Sequence, residues 1–238
     1  MKEYFEKIYS DTEQKFHDLV DKNIVKNKKM FIVTANPETL MIAEENNEFK
    51  ECLLKEDTII VPDGIGIVKG AKMCGYNINE TITGVELAKK IFEICNREGK
   101  SLYLFGAKSE VLDKMNEMLK AKYPKIKLLG SENGYVKDRQ KVFDKIVELK
   151  PDVVLVALGI PHQELLIYRN LSKIEKGIFI GVGGSFDVLS GCKKRAPKIF
   201  IKLHLEWLYR ITVEPKRLKR FFKSNIRYLS KIRKEKKG

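Results

Sequence analysis

The chain has 238 residues, 43% apolar and 33% charged. That suits one domain, or a domain with an appendage, and excludes a disordered chain. The net charge of +14 is unevenly placed: from Lys193 onward there are 17 Lys and Arg against three acids, while the first 192 residues carry 29 of each sign. A basic tail on a neutral body suggests an anionic partner, which could be a lipid surface, a nucleic acid or a diphosphate substrate.

The segment up to about Lys29 reads as helix with a polar connection. MFIVTAN (30–36) is a strand ending in turn residues, and PETLMIAEENNEF (37–49) has helical spacing after a proline. DTIIVPDG (57–64) is a second strand and loop, followed by a helix closed by Gly75. TGVELAKKIFEICNREG (83–99) is an amphipathic helix with Thr83 as its cap and Gly99 past its end. KSLYLFGA (100–107) is a strand, and the helix after it takes Ser109 as its cap. KIKLLGSENGYV (125–136) gives a strand and loop, and KDRQKVFDKIVELKP (137–151) a helix stopped by Pro151. DVVLVALGIP (152–161) is almost wholly apolar, as expected of a strand covered on both faces. HQELLIYRNLS (162–172) is a helix, and GIFIGVGGSFDVLSG (177–191) is a buried strand and loop.

Strands alternating with helices imply βαβ units and a mostly parallel sheet flanked by helices, an α/β fold. The organisation changes after Gly191. Residues 1–192 read as one α/β domain and 193–238 as a helical appendage in which basic and aromatic residues interleave. Pro215 breaks or starts a helix there.

No run approaches the roughly 18 apolar residues of a membrane span, and the charged opening MKEYFEKIYSDTEQKF is no signal peptide. A cytosolic location follows as an expectation. Cys52, Cys74, Cys95 and Cys192 form no C-x-x-C pair, and His17, His162 and His204 lack metal-ligand spacing. No metal and no cofactor are expected.

In an open parallel sheet, ligands bind beyond the carboxyl ends of the strands. That rule selects five loops: 34–37, 62–66, 106–109, 159–164 and 181–187. In the last, GVGGSFD, backbone N–H groups including those of Gly183 and Gly184 could approach a diphosphate closely. The same glycines would also serve a plain tight turn. Gly106 belongs to a similar, less specific loop. The spacing fits neither the dinucleotide fingerprint nor a Walker loop, which argues against NAD and ATP. Asp63, between Pro62 and Gly64, suits a general base, or equally a helix cap. Asn36 before Pro37 has the same ambiguity. Gln163 and Glu164 could bind a sugar or base, or be ordinary first-turn helix residues. Arg210, Arg217 and Arg220 lie at spacings of seven and three, on one face if a helix runs through them. Phe200, Trp207, Tyr209, Phe221, Phe222 and Tyr228 add the aromatic content of a membrane interface.

Eight motifs occur in order: TANPETL (34–40), VPDGIGIV (61–68), ITGVEL (82–87), LFGA (104–107), ALGIPHQE (157–164), GVGGSFDVLSG (181–191), KRAP (194–197), and LEWLYR with EPKRLKR (205–210, 214–220). Together they resemble the WecG/TagA/CpsF family of bacterial glycosyltransferases, over about residues 10 to 228. The resemblance implies a Rossmann-like α/β fold and a metal-independent, inverting transfer. The donor would be a UDP-sugar, UDP-N-acetylmannosamine in the best-known members. The acceptor would be undecaprenyl-diphosphate-linked N-acetylglucosamine at the inner membrane face, on the route to wall teichoic acid or a related surface glycan.

By the same resemblance Asp63 is the base, Thr34, Asn36 and Gln163 are pocket residues, and Arg210, Arg217 and Arg220 close over the site. Thr81 stands where the family often has Arg, and His204 where Gly is usual. These departures bear on the donor, so another UDP-hexose in capsule or exopolysaccharide synthesis is the alternative. A nucleic-acid-binding module is the alternative of a different class. It leaves five strand-end loops on a neutral body without a purpose, and no nucleic-acid partner is expected. A homo-oligomer is compatible with the chain.

Overall fold

A computed structural model describes residues 1–214 and 216–237, without the side chains of Lys216, Arg217, Arg220, Lys236 and Lys237. Six parallel strands form one sheet: β1 (Met30–Ala35), β2 (Thr58–Pro62), β3 (Ser101–Gly106), β4 (Lys127–Glu132), β5 (Val153–Ala157) and β6 (Ile178–Gly181), in the order β2-β1-β6-β5-β3-β4. The parallel α/β fold is therefore as expected. β1, β5 and β6 are buried throughout, which is why they read as unbroken apolar runs. Their side chains alternate between two cores: Phe31, Val33 and Ala35 face one, Met30 and Ile32 the other.

The first core packs α1 (Lys2–Lys7), α3 (Pro37–Ala43), α4 (Asn47–Leu54), α5 (Ile65–Met73), α8 (Arg139–Leu149) and α9 (His162–Asn170). The second packs α2 (Glu13–Val25), α6 (Gly84–Glu98), α7 (Ser109–Lys122) and α10 (Ser185–Leu189). The helices after β1 and β5 thus lie on one face and the helix after β6, between them, on the other. That reversal marks the carboxyl end of β6 as the place where an open α/β sheet forms its ligand crevice. The edge at β2 is covered by the N-terminal segment, where Tyr9 N–H donates to Ile60 O at 2.8 Å.

Three local expectations are corrected. Residues 37–49 do not form one helix: α3 ends at Ala43, and Asn46 caps α4 by accepting from Phe49 N–H at 2.9 Å. An Asn oxygen that satisfies a free N–H makes a new helix start cheaper than continuing the old one. Ser109 is the first residue of α7 rather than its cap, a position held by Lys108 without a side-chain bond. The loop after β6 contains the short helix α10. Thr83 does cap α6, and Gly99 ends it in the left-handed region, φ +62°.

The tail forms α11 (Lys198–Lys202), α12 (Glu206–Val213) and α13 (Lys216–Lys237). Pro215 lies outside the described residues. α13 packs along α3 and α5 with Tyr228 and Ile232 fully buried in the first core. Burying two such side chains contributes roughly 2–3 kcal/mol each. Gly70 allows this docking, because a Cβ there would run into the Tyr228 hydroxyl.

Candidate functional site

β1 delivers Thr34 to the crevice. It is buried, and its hydroxyl donates to Gly181 O at 3.2 Å. Asn36 caps α3 in a reciprocal box: its Oδ1 accepts from Thr39 N–H at 3.1 Å while the Thr39 hydroxyl accepts from Asn36 N–H at 3.1 Å. The turn reading of Asn36 therefore holds. Its side-chain nitrogen Nδ2 makes no hydrogen bond among the described residues and is the part left for a ligand.

Asp63 follows β2, and its N–H donates to Ala35 O at 2.8 Å, tying the loop to β1. The N-cap of α5 is Gly64, φ +106°, with no side-chain cap bond. Asp63 is thus not spent on capping, and no described side chain hydrogen-bonds its carboxyl. It is half-buried, and burial pushes the carboxyl up to about 6, with Arg210 pulling it down and Glu206 adding to the rise. Both opposing groups come from α12, so the tail brings charge to the end of β2. Arg210 donates to Glu206 Oε1 at 2.7 Å within that helix.

Gln163 and Glu164 open α9 and are fully buried, unlike ordinary first-turn residues. Gln163 Oε1 accepts from two backbone N–H groups, Gly159 at 3.2 Å and Gly183 at 3.1 Å. Gln163 Nε2 donates to Glu164 Oε1 at 2.7 Å. Among the described residues Glu164 Oε2 has no partner, and burial pushes this carboxyl up to about 7, against the pull of hydrogen bonds from Gln163 and from its own N–H. Thr34 and Gln163 therefore grip the β6 strand end from two sides, one at Gly181 and the other at Gly183.

The glycines differ in kind. Gly106, φ +124°, is pressed against Ala157 O, so close packing accounts for it. Gly183, φ +48°, meets only Gln163 Nε2, at 4.0 Å, and nothing stands within 4 Å of a Cβ on Gly159 or Gly64. Gly184 leads into α10 with an ordinary φ of −71°. These positions leave space beside the backbone for a ligand, although the N–H groups of Gly159 and Gly183 are already given to Gln163 Oε1.

The continuous helix on which a common face for the three tail arginines depended is not formed. Arg210 is on α12, Arg217 and Arg220 are on α13, and the chain between is not helical at Glu214. The side chains of Arg217 and Arg220 lie outside the described residues. Trp207 stacks on Phe221 at 5.0 Å between ring centroids, 4° apart in plane, and joins α12 to α13. Among the described residues no group of three His, Cys, Asp or Glu could hold a metal ion, and no helix is long and apolar enough to cross a membrane.

Sequence reasoning named Glu164 with Gln163 as a possible sugar or base contact, whereas the structure buries it behind Gln163; Glu206 it missed. The pairing of Glu206 with Arg210 at a spacing of four was visible, but its nearness to Asp63 depends on how the tail folds back.

This arrangement of a carboxyl and a glycine loop on a parallel sheet is carried by a sequence with known relatives. Residues 7–238 match the model of the glycosyl transferase WecG/TagA/CpsF family. The chain belongs to this family. Three similar proteins are each named N-acetylglucosaminyldiphosphoundecaprenol N-acetyl-beta-D-mannosaminyltransferase. That of Bacillus spizizenii is 41% identical over 194 residues, which is 82% of this chain and 75% of the relative. That of Bacillus subtilis is 37% identical over 224 residues, 94% of this chain and 87% of the relative. A Staphylococcus aureus protein is 36% identical over 209 residues, 87% and 81% of the two chains. As a WecG/TagA/CpsF glycosyltransferase, the protein carries its candidate base on β2 and its glycine loop on β6, with β1 between them.

Proposed function

We propose that the protein transfers N-acetylmannosamine from UDP-N-acetylmannosamine to undecaprenyl-diphosphate-linked N-acetylglucosamine, inverting the anomeric centre without a metal, in synthesis of a surface polymer of the wall teichoic acid type. The substrates follow the names of the relatives. The observation that carries the mechanism is the Asp63 carboxyl, half-buried, free of the capping role and raised to about 6.

A carboxylate of that basicity accepts a proton better than a solvated one while remaining ionised at neutral pH. It takes the proton of the acceptor hydroxyl as that oxygen attacks the anomeric carbon from the face opposite UDP. The C–O bond to UDP breaks, and its electron pair stays on the diphosphate. The Gly184 N–H and the guanidinium groups of Arg210, Arg217 and Arg220 stabilise that charge, while Gly183, its N–H held by Gln163, leaves room beside the diphosphate. Thr34, Asn36 and Gln163 complete the donor pocket, with Gly106 behind it.

Residues 193–238 serve as the membrane-contacting part, closing over the site at the inner face of the cell membrane. Support comes from α13, whose two faces differ. Tyr228 and Ile232 are buried, while Phe222, Ile226 and Leu229, at helical spacing on an adjoining face, are 49%, 63% and 44% exposed. Basic residues flank this apolar stripe, the composition of a helix lying in a headgroup layer.

The test is UDP release with a short-chain lipid-diphosphate-N-acetylglucosamine acceptor across a set of UDP-sugars. Turnover with UDP-N-acetylmannosamine, retained in excess EDTA and giving the inverted linkage by NMR, is expected. Turnover confined to another UDP-hexose overturns the donor assignment. Loss in EDTA restored by manganese overturns the metal-free mechanism.

A further inference from the structure

One amide oxygen holds two loops. Gln163 Oε1 accepts from Gly159 N–H after β5 and from Gly183 N–H after β6. An amide side chain has two orientations, and in the other one its NH2 group would face those two donors with nothing to offer them. What selects the observed orientation is Glu164, whose Oε1 accepts from Gln163 Nε2 at 2.7 Å. The pair is tightly seated. A Cβ on Gly181 would lie 2.6 Å from Gln163 Nε2 and 2.7 Å from Glu164 Oε1, so only glycine fits at that strand end.

Glu164 itself has no access to the crevice, being fully buried. A buried carboxyl with one oxygen unpartnered is costly unless it serves something.

We propose that Glu164 is a positioning residue for the donor: it fixes the orientation of Gln163, which in turn holds the Gly159 and Gly183 N–H groups and so sets the shape of the loop that receives the nucleoside diphosphate. The proposal rests on the reading of the Gly181–Gly184 loop as the diphosphate site. Glu164 acts only through Gln163 and touches no substrate. Its task is to accept one hydrogen bond, which a neutral carboxyl or an amide oxygen performs as well as a carboxylate.

The test compares Glu164→Gln with Glu164→Met in the full chain, with Glu164→Ala as a second apolar variant should the methionine fail to fold. UDP affinity is measured by calorimetry, donor and acceptor KM and kcat by UDP release, and amide hydrogen exchange at Gly159 and Gly183 by NMR. Expected for the apolar variants are a loss of at least tenfold in UDP affinity and the same rise in donor KM. Acceptor KM and kcat at saturating donor should stay within about threefold, and the two glycine amides should exchange faster. Glu164→Gln should restore donor KM to within about threefold. Unchanged UDP affinity in the apolar variants overturns the proposal, as does a glutamine variant no better than methionine. A wild type that binds no UDP removes the donor-loop reading itself, which is a different outcome from a wild type that binds UDP alongside variants that bind it equally well.

Discussion

The β6 corner and the basic tail are built on opposite plans. In the corner, Thr34, Gln163, Glu164 and Ser185 are polar and buried, and a small set of hydrogen bonds fixes where the backbone N–H groups stand. In the tail, only one face of α13 is buried, and an adjoining face leaves apolar side chains in the open. The first plan suits a rigid ligand, because each displaced group loses a defined partner. The second suits a surface without fixed geometry, such as a bilayer. Asp63 lies where the two plans meet: its loop is bonded to β1, and its charge environment comes from α12.

The sharpest way to break this division is Asp63→Asn. A fall in kcat of roughly 10²–10⁴ is expected, the ordinary range for a general base, with UDP affinity little changed. The same variant should be more stable. The carboxyl in the folded chain sits above its ordinary value, so the unfolded state gives up the proton first. Stability is therefore lost as pH rises from about 4 to about 6 and stays lower above that. Asparagine escapes this penalty. A gain of roughly 1–2 kcal/mol at pH 7 is expected, discounted for partial exposure, vanishing near pH 4. Denaturant unfolding at the two pH values measures it. A destabilised Asp63→Asn at pH 7 would mean the carboxyl is structural.

Next in size, Tyr228→Ala should cost about 3–5 kcal/mol, the usual loss for a buried aromatic. It removes the ring packed over Gly70 and the hydroxyl that donates to Gly66 O at 3.3 Å. Gly66 is three residues beyond Asp63, so kcat should fall with stability. On the other face of α13, Phe222→Ser with Ile226→Ser should leave unfolding unchanged within about 0.5 kcal/mol. Binding to vesicles containing anionic lipid should weaken at least tenfold, more at high salt, where the basic residues no longer compensate. Unaltered vesicle binding would end the membrane assignment while leaving the docking of the buried face intact.

The sequence carried the fold well, because apolar runs such as 153–157 and glycine or proline at strand ends are local signals. It also carried Asp63 as a candidate, though with helix capping as an equal alternative. What removed that alternative was the positive φ of Gly64, which makes Gly64 the cap position and turns the preceding carboxyl loose. The double break in 37–54 was harder to read, since Asn46 lies among other polar residues that offer the same chemistry. Harder still were Glu164 and Glu206. Their meaning depends on partners brought in by chain reversal: Gly183 N–H reaches Gln163 across 20 residues, and α12 arrives at β2 from the far end of the chain. No periodicity encodes such an encounter.

The smallest effect tests that encounter most directly. Glu206 raises the Asp63 carboxyl and holds Arg210, which lowers it. Glu206→Gln removes a negative charge from beside Asp63 and weakens the hold on the guanidinium. Both changes favour the ionised base. The acid limb of the kcat/KM profile, expected near pH 6 for the wild type, should move to lower pH by less than one unit. Arg210→Gln should move it upward, and it should also raise donor KM, because Arg210 is assigned to the diphosphate. A limb that stays put in both variants would separate α12 from Asp63 in the working enzyme. A limb that moves with Glu206→Gln at unchanged donor KM would assign Glu206 to tuning the base alone.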